Sequence, residues 1–328
     1  MESLIFAVNA VAPIILTVAI GYILKKLGYM NDGFARAANK LVFHFFLPSM
    51  LFLNIYKIED IRTMDFSYIL YVAVVLLLIF LCSIPVVILV AGKRERRGVL
   101  LQAAFRSNYA LVGIPLAGSL YGEAGIMIAS VLSAVVVPLI NILAVISLSM
   151  FRTEGQKPDV KKILIDICKN PLIRSIALAL VVLWIRSIFV KAGISFRLSD
   201  ITPLYTVLGY LSNLATPLAL LMLGAQFEFS AVRALRREII FGTLMRTVIV
   251  PILGVGGAYV LFGDHFNGAH FAAFVAVFAT PVSVSSLPMA QEMNSDAVLA
   301  GQLVVWTTLV SAFSVFMTGF LLRLVGVF

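Results

Sequence analysis

The chain has 328 residues, 61% of them hydrophobic and only 12% charged, whereas soluble domains carry about a quarter charged residues and at most half apolar ones. A mean hydropathy of +1.05 points the same way, and together these values exclude a water-soluble enzyme core. The net charge of +9 would suggest nucleic acid in a soluble protein. Here it is read as topological, because Lys and Arg gather on the cytoplasmic side of membranes, and the expected partner is the lipid bilayer and no nucleic acid.

Ten apolar runs of spanning length follow one another at about residues 3–24, 37–56, 67–92, 99–121, 124–150, 171–192, 201–225, 238–262, 269–290 and 297–327. The fold class is therefore all-α and polytopic. The N-terminal run lacks a basic leader and a small-residue cleavage site, so it reads as a retained first helix. Pro48 interrupts the second span, Gly113 and Pro115 the fourth, Pro217 the seventh, and Pro281 with Pro288 the ninth. Between spans five and six, residues 151–170 form the longest polar interval. Ile163, Ile165 and Ile167 alternate there with Lys161, Lys162, Asp166 and Lys169, which fits either a short amphipathic helix on the membrane surface or a solvated linker.

The loops after spans one, three, five and seven hold seventeen basic residues, Lys93, Arg94, Arg96 and Arg97 among them, against six on the opposite side. By the positive-inside rule both termini face the exterior and the 151–170 linker is cytoplasmic. Arg106 and Arg246 remain inside spans. The interruptions recur at ordinal positions two and four of each half, so residues 1–150 and 171–328 read as two five-span repeats. An odd number of spans turns the second upside down, a known plan for secondary transporters in which the broken spans mark the binding site.

In span four, Arg106, Ser107, Asn108 and Tyr109 sit together near mid-membrane, where polar groups are costly unless they face protein, water or ligand. A helix broken there presents N–H groups whose partial positive charge suits a carboxylate. Asn108 adds a side-chain N–H donor without another formal charge. Span nine offers Thr280, Pro281, Val282 and Ser283, followed by Ser285 and Ser286, which read equally well as small side chains for helix packing. In span seven Ser212 and Asn213 either line the same cavity or bond a neighbouring helix. Arg246, in span eight, either attracts an anion or stabilises carbonyl ends at a crossing. His44 reads as a packing residue. No Asp or Glu falls in the middle of a span, so the buried formal charges are positive and favour an anionic substrate over a cation exchanger. The two cysteines, Cys82 and Cys168, suggest neither disulfide nor metal site. The three histidines lack metal-ligand spacing, and GxSxG, HExxH and P-loop patterns are absent. No enzymatic activity and no cofactor are expected.

Four stretches in order, NKLVFHFFLPSMLF around Pro48, SNYALVGIPLAGSLYGE after Arg106, LSNLATPLALLMLGAQF around Pro217, and Pro281 followed by Ala290, Gln291 and Glu292, closely resemble the auxin efflux carrier family over essentially the whole chain. That family includes plant PIN auxin carriers and bacterial malonate and malate permeases. The resemblance implies a sodium/proton-antiporter-like fold in which helices four and nine cross at their breaks and hold the substrate carboxylate. It also implies a scaffold of spans 1, 2, 6 and 7, a transport domain of spans 3, 4, 5, 8, 9 and 10 moving elevator-fashion, and a homodimer through the scaffold. Plant carriers have Pro-Asn at the first break; Ser107-Asn108 keeps the asparagine and loses the proline, and their long cytoplasmic loop shrinks here to the 151–170 linker. A small organic carboxylate, auxin-like or malonate/malate-like, is thus the expected substrate. A sodium- or proton-coupled organic-anion symporter of bile-acid-transporter type and a transporter-like membrane receptor are the alternatives.

Overall fold

The computed structural model describes residues 2–57, 66–151 and 160–328; residues 152–159, the first part of the polar linker, lie outside them. The described residues form helices α1 (Glu2–Lys26), α2 (Asp32–Tyr56), α3 (Phe66–Val90), α4 (Arg94–Phe105), α5 (Tyr109–Met150), α6 (Val160–Lys169), α7 (Pro171–Lys191), α8 (Thr202–Ala225), α9 (Arg236–Phe262), α10 (Gly268–Phe278), α11 (Ser286–Glu292) and α12 (Ala297–Leu324). Seven of these, α2, α3, α5, α7, α8, α9 and α12, are long and apolar enough to cross a membrane.

At 42 residues, α5 would extend about 60 Å if straight, twice the hydrocarbon thickness. It does not run straight. Tyr121 (φ −143°, ψ 28°) and Gly122 (φ 60°, ψ −150°) turn the chain between the fourth and fifth apolar runs. The Gly122 conformation is one that essentially only glycine adopts.

The prolines of the second and seventh runs do not break their helices. A π turn at Val42–Phe46 precedes Pro48 and absorbs its missing hydrogen bond in a wider loop of backbone, while Pro217 is carried inside a continuous α8. Gly113 and Pro115 likewise lie within α5 and not at its break. Residues Tyr109–Gly113 form a π turn and Pro115 sits in the turn that follows. Gly113 is there for close approach: a Cβ would stand 2.8 Å from the Ala276 carbonyl oxygen of α10. Pro288 falls in the first turn of α11, where no intrahelical N–H donor is needed.

Two packing groups emerge. α1 lies along α8, and α2 packs on both α7 and α8; α10 nests against α5, which also packs on α4. α12 adjoins α1 and α11. The α1–α8 contact is backbone to backbone, since a Cβ on Gly21 would strike the Leu221 carbonyl and one on Gly224 the Val18 carbonyl. Such small-residue seams let membrane helices gain dispersion contacts and stay together. Gly21→Leu and Gly224→Leu are therefore expected to lower the thermal stability of the purified protein. Gly209→Ala, where nothing lies within 4 Å of the added carbon, serves as the neutral control, and equal melting of all three variants would contradict the seam.

The polar linker ends in a helix. α6 exposes Leu164 and Ile165 beside Lys161 and Lys169, and Asp166 Oδ2 accepts a hydrogen bond from the Ser149 hydroxyl at 3.1 Å.

Candidate functional site

Helix α4 ends at Phe105 because Arg106 turns extended (φ −83°, ψ 92°), and α5 begins only after Asn108 (φ −81°, ψ 53°). Ser and Asn compete for their own backbone and make poor helix interior. On the other side α10 ends at Phe278, since Pro281 lacks an N–H and disfavours helical backbone at Thr280. The two extended segments then satisfy one another. Asn108 N–H donates to the Pro281 carbonyl at 2.8 Å and Ser283 N–H to the Arg106 carbonyl at 3.1 Å, an antiparallel bridge centred on Ser107 and Val282. Buried backbone polar groups need such partners, all the more within a membrane.

Arg246 answers for the remaining carbonyls. It is fully buried, and its guanidinium donates to the carbonyls of Val277 (2.6 Å), Thr280 (2.7 Å) and Ala104 (3.3 Å). These are the C-terminal ends of α10 and α4, the negative ends of both half-helices. Arg246 thus bonds carbonyl ends at the crossing and is not among the residues that line the cavity beside it. Arg106, also buried, donates to Gln102 Oε1 (3.0 Å), Asn141 Oδ1 (3.0 Å), Ser285 Oγ (2.9 Å) and Met289 Sδ (3.0 Å). Among the described residues no partner of either arginine is a carboxylate.

A cavity of about 440 Å³ opens beside the bridge, between the two packing groups, within the size range of small-molecule sites. Its walls include Asn54 of α2 and Lys57 just beyond it, Arg106 to Leu111, Asn141, Ser212, Asn213 and Thr216 of α8, and Ser283 to Ser285. Among the described residues lining it none is acidic. The Asn108 side-chain nitrogen and the Ser107 hydroxyl are buried with no hydrogen-bond partner. The opening N–H groups of α5, at Tyr109 to Leu111, have no acceptor within their helix.

The structure thus brings Arg106, Ser107, Asn108, Ser212, Asn213 and Ser283 to one cavity. Tyr109 lines it too, but its hydroxyl is already committed to the Ala129 carbonyl at 2.6 Å. Thr280, Pro281 and Val282 stand behind the wall: the Thr280 hydroxyl donates to the Ala276 carbonyl, the Pro281 carbonyl belongs to the bridge, and Val282 N–H donates to Thr307 Oγ1. Ser285, open in the sequence between site and helix packing, lines the cavity; Asn141 and Asn54 are lining residues that the sequence does not reveal, because a lone Asn in an apolar helix carries no sign of the direction it faces.

Residues 6–318 match the family described as membrane transport protein. This chain belongs to that family. Within it, this membrane transport protein is 24% identical over 325 residues to an uncharacterized transporter of Methanothermobacter thermautotrophicus, covering 93% of this chain and 95% of the relative. It is 26% identical over 254 residues to one of Methanocaldococcus jannaschii (74% and 76% covered), and 25% identical over 307 residues to the uncharacterized transporter YfdV of Escherichia coli (89% and 90% covered). The four ordered motifs point to this same auxin efflux carrier-like family.

Away from the cavity, polar contacts tie α2 to the end of α8 and to α11, and others tie α4 to α9 and to the start of α12. Asn39 Nδ2 donates to Gln226 Oε1 (2.9 Å) and to Gln291 Oε1 (2.8 Å), and His44 lies 3.8 Å from Glu292. Arg96 bonds Glu238 (2.8 Å) and Asp296 (3.0 Å). Partial burial disfavours the Arg96 charge, yet the hydrogen bonds and charges of Glu238 and Asp296 outweigh it and raise its pKa.

Proposed function

We propose that this transporter is a secondary carrier of a small organic carboxylate, held in the cavity beside the bridged breaks. One observation carries the reading: a buried Asn108 amide with no partner of its own, at the start of a helix, in a cavity that has Arg106 and Lys57 but no acidic side chain among its described lining. A buried unpaired donor costs free energy, and a carboxylate oxygen is the acceptor that a helix N-terminus and nearby cations favour. In this reading the chain forms ten spans as inverted five-span repeats. α1, α2, α7 and α8 are the scaffold, and the remaining helices carry the site across by an elevator motion in the plasma membrane. The close packing of α1 on α8 and of α2 on α7 and α8 supports the scaffold, against which α12 lies along α1. Two copies pair through scaffold helices, of which α7 leaves Leu178, Val181 and Trp184 exposed.

The test is thermal stabilisation of the purified protein by a panel of mono- and dicarboxylates and their neutral amides, with and without sodium. Stabilisation by carboxylates and not by amides is expected; stabilisation by neither would sink the reading. With no mid-span carboxylate to hold a cation, sodium is not required and transport responds to voltage. One charge moved through 100 mV is equivalent to about 2.3 kcal/mol, roughly a fiftyfold gradient. Flux measured in proteoliposomes at clamped potential checks this, and strict sodium dependence would favour a symporter of the bile-acid-transporter type.

Both termini face outward in this reading and α6 is cytoplasmic. Cys168 on α6 is a free, exposed thiol. In a Cys82→Ser background, a membrane-impermeant maleimide is expected to label it only after the cytoplasmic side is opened. Labelling of intact cells would reverse the orientation.

A further inference from the structure

The C-terminal end of α3 is capped from two other helices. Arg97 of α4 donates through Nε to the Ala91 carbonyl at 3.1 Å, and Arg237 of α9 donates through Nη2 to the Leu89 carbonyl at 3.4 Å. The two acceptors lie two residues apart at the negative end of one helix. Their neighbours in the chain fix the approach. Arg96 and Glu238 are bonded at 2.8 Å, and Arg97 follows the first as Arg237 precedes the second. Three helices therefore bring the two guanidinium groups to one corner. Capping uses one N–H of each, and a guanidinium carries five. Neither arginine has another hydrogen-bond or ion-pair partner among the described residues. The carboxylates of the same two segments are engaged elsewhere: Glu95 lies 3.9 Å from Lys93, and Glu238 is held by Arg96.

Apolar surface leads away from this corner along both helices. On α9, Ile240 and Leu244 follow Arg237 at helical spacing and are exposed; on α3, Val86 and Leu89 are exposed one turn apart. The helices are neighbours along their length, and the Tyr71 hydroxyl of α3 donates to the Gly254 carbonyl of α9 at 2.7 Å. We propose that Arg97 and Arg237 hold the phosphate of one anionic phospholipid at the membrane face where the basic loops lie, with its acyl chains along the exposed sides of α3 and α9. Arginine forks match phosphate oxygens in pairs, and donors already fixed by other bonds lose little freedom on binding. A soluble anion would meet the same two arginines, but only a lipid also covers the apolar surface beside them. Nothing in this site depends on what the cavity carries.

Binding is measured on the purified full chain in neutral detergent micelles, by native mass spectrometry and by Tm. The probes are dioleoylphosphatidylglycerol, dioleoylphosphatidylcholine and glycerol phosphate. Wild type is expected to retain phosphatidylglycerol and to gain Tm with it. Phosphatidylcholine, whose choline cancels the charge, and glycerol phosphate, which lacks the chains, give weaker responses. Arg97→Gln with Arg237→Gln is expected to lower phosphatidylglycerol affinity about ten- to a hundredfold. Arg233→Gln with Arg236→Gln removes the same charge from exposed neighbours and keeps most of the affinity. Arg97→Lys with Arg237→Lys keeps the charge without the fork and falls between. The Tm of each variant without lipid reports folding, and if the first glutamine pair is unstable the lysine pair carries the comparison. Equal losses in the two glutamine pairs, or wild-type affinity in the lysine pair, overturn the site in favour of diffuse attraction. An equal response to the two lipids, or to glycerol phosphate and phosphatidylglycerol, overturns it as well.

Discussion

Replacing Arg246 by alanine is expected to cost more stability than loss of any other side chain at the crossing. The variant strands the carbonyls of Val277, Thr280 and Ala104 where the side chain they lose is 0% exposed, so water cannot substitute. Each buried acceptor left unpaired costs about 1–3 kcal/mol. Even two of them amount to a large share of the roughly 5–15 kcal/mol that holds an average protein folded. Arg246→Lys should fall between, because an ammonium on a flexible stem replaces a planar fork that reaches three acceptors at once. Thermal unfolding of the purified variants is the measurement. A Tm for Arg246→Ala indistinguishable from wild type would show that the half-helix ends are satisfied by other means. Whatever fraction stays folded should lose less carboxylate affinity than Asn108→Ala does, since Arg246 does not line the cavity.

Asn108→Ala has the opposite signature. Its side-chain nitrogen has no partner in the empty protein, so removing it strands nothing, and the Tm without ligand is expected to stay level or rise slightly. Binding suffers instead. A hydrogen bond to a charged group contributes about 1.5–3 kcal/mol, which is roughly ten- to a hundredfold in affinity. Asn108→Asp is expected to be worse still, because it sets an anion against an anion in a poorly screened place. Titration calorimetry alongside thermal scans separates the two readouts. A drop in empty-state Tm with affinity intact would mean that Asn108 holds the break together and does not hold ligand.

Asn108, Ser107 and Ser283 are legible in the sequence because polar side chains at mid-span stand out against an apolar background. The place of the break is not. Gly113 and Pro115 carry the local punctuation, yet both are absorbed into α5, while the chain leaves the helix at Arg106 with no proline to force it. What holds that segment open is its pairing with Thr280 to Ser283, a contact between residues far apart in the chain that no local pattern encodes. The role of Arg246 stays undecided in the sequence for the same reason: its three acceptors belong to two other helices. Pro281 does mark a helix stop, but a proline says nothing about which neighbours turn toward a cavity, and Thr280, Pro281 and Val282 face away. The turn within α5 is readable because Tyr121-Gly122 falls where one apolar run ends and the next begins.

Arg106 and Arg246 place two guanidinium groups at the crossing, with only neutral acceptors around them among the described residues. A fixed positive field in the narrow part of a membrane protein is a barrier to small cations, of the kind that lets some channels pass water while refusing protons. On the proposed carrier reading, the residues that hold the broken helices in place are also expected to repel sodium ions and protons from the empty cavity.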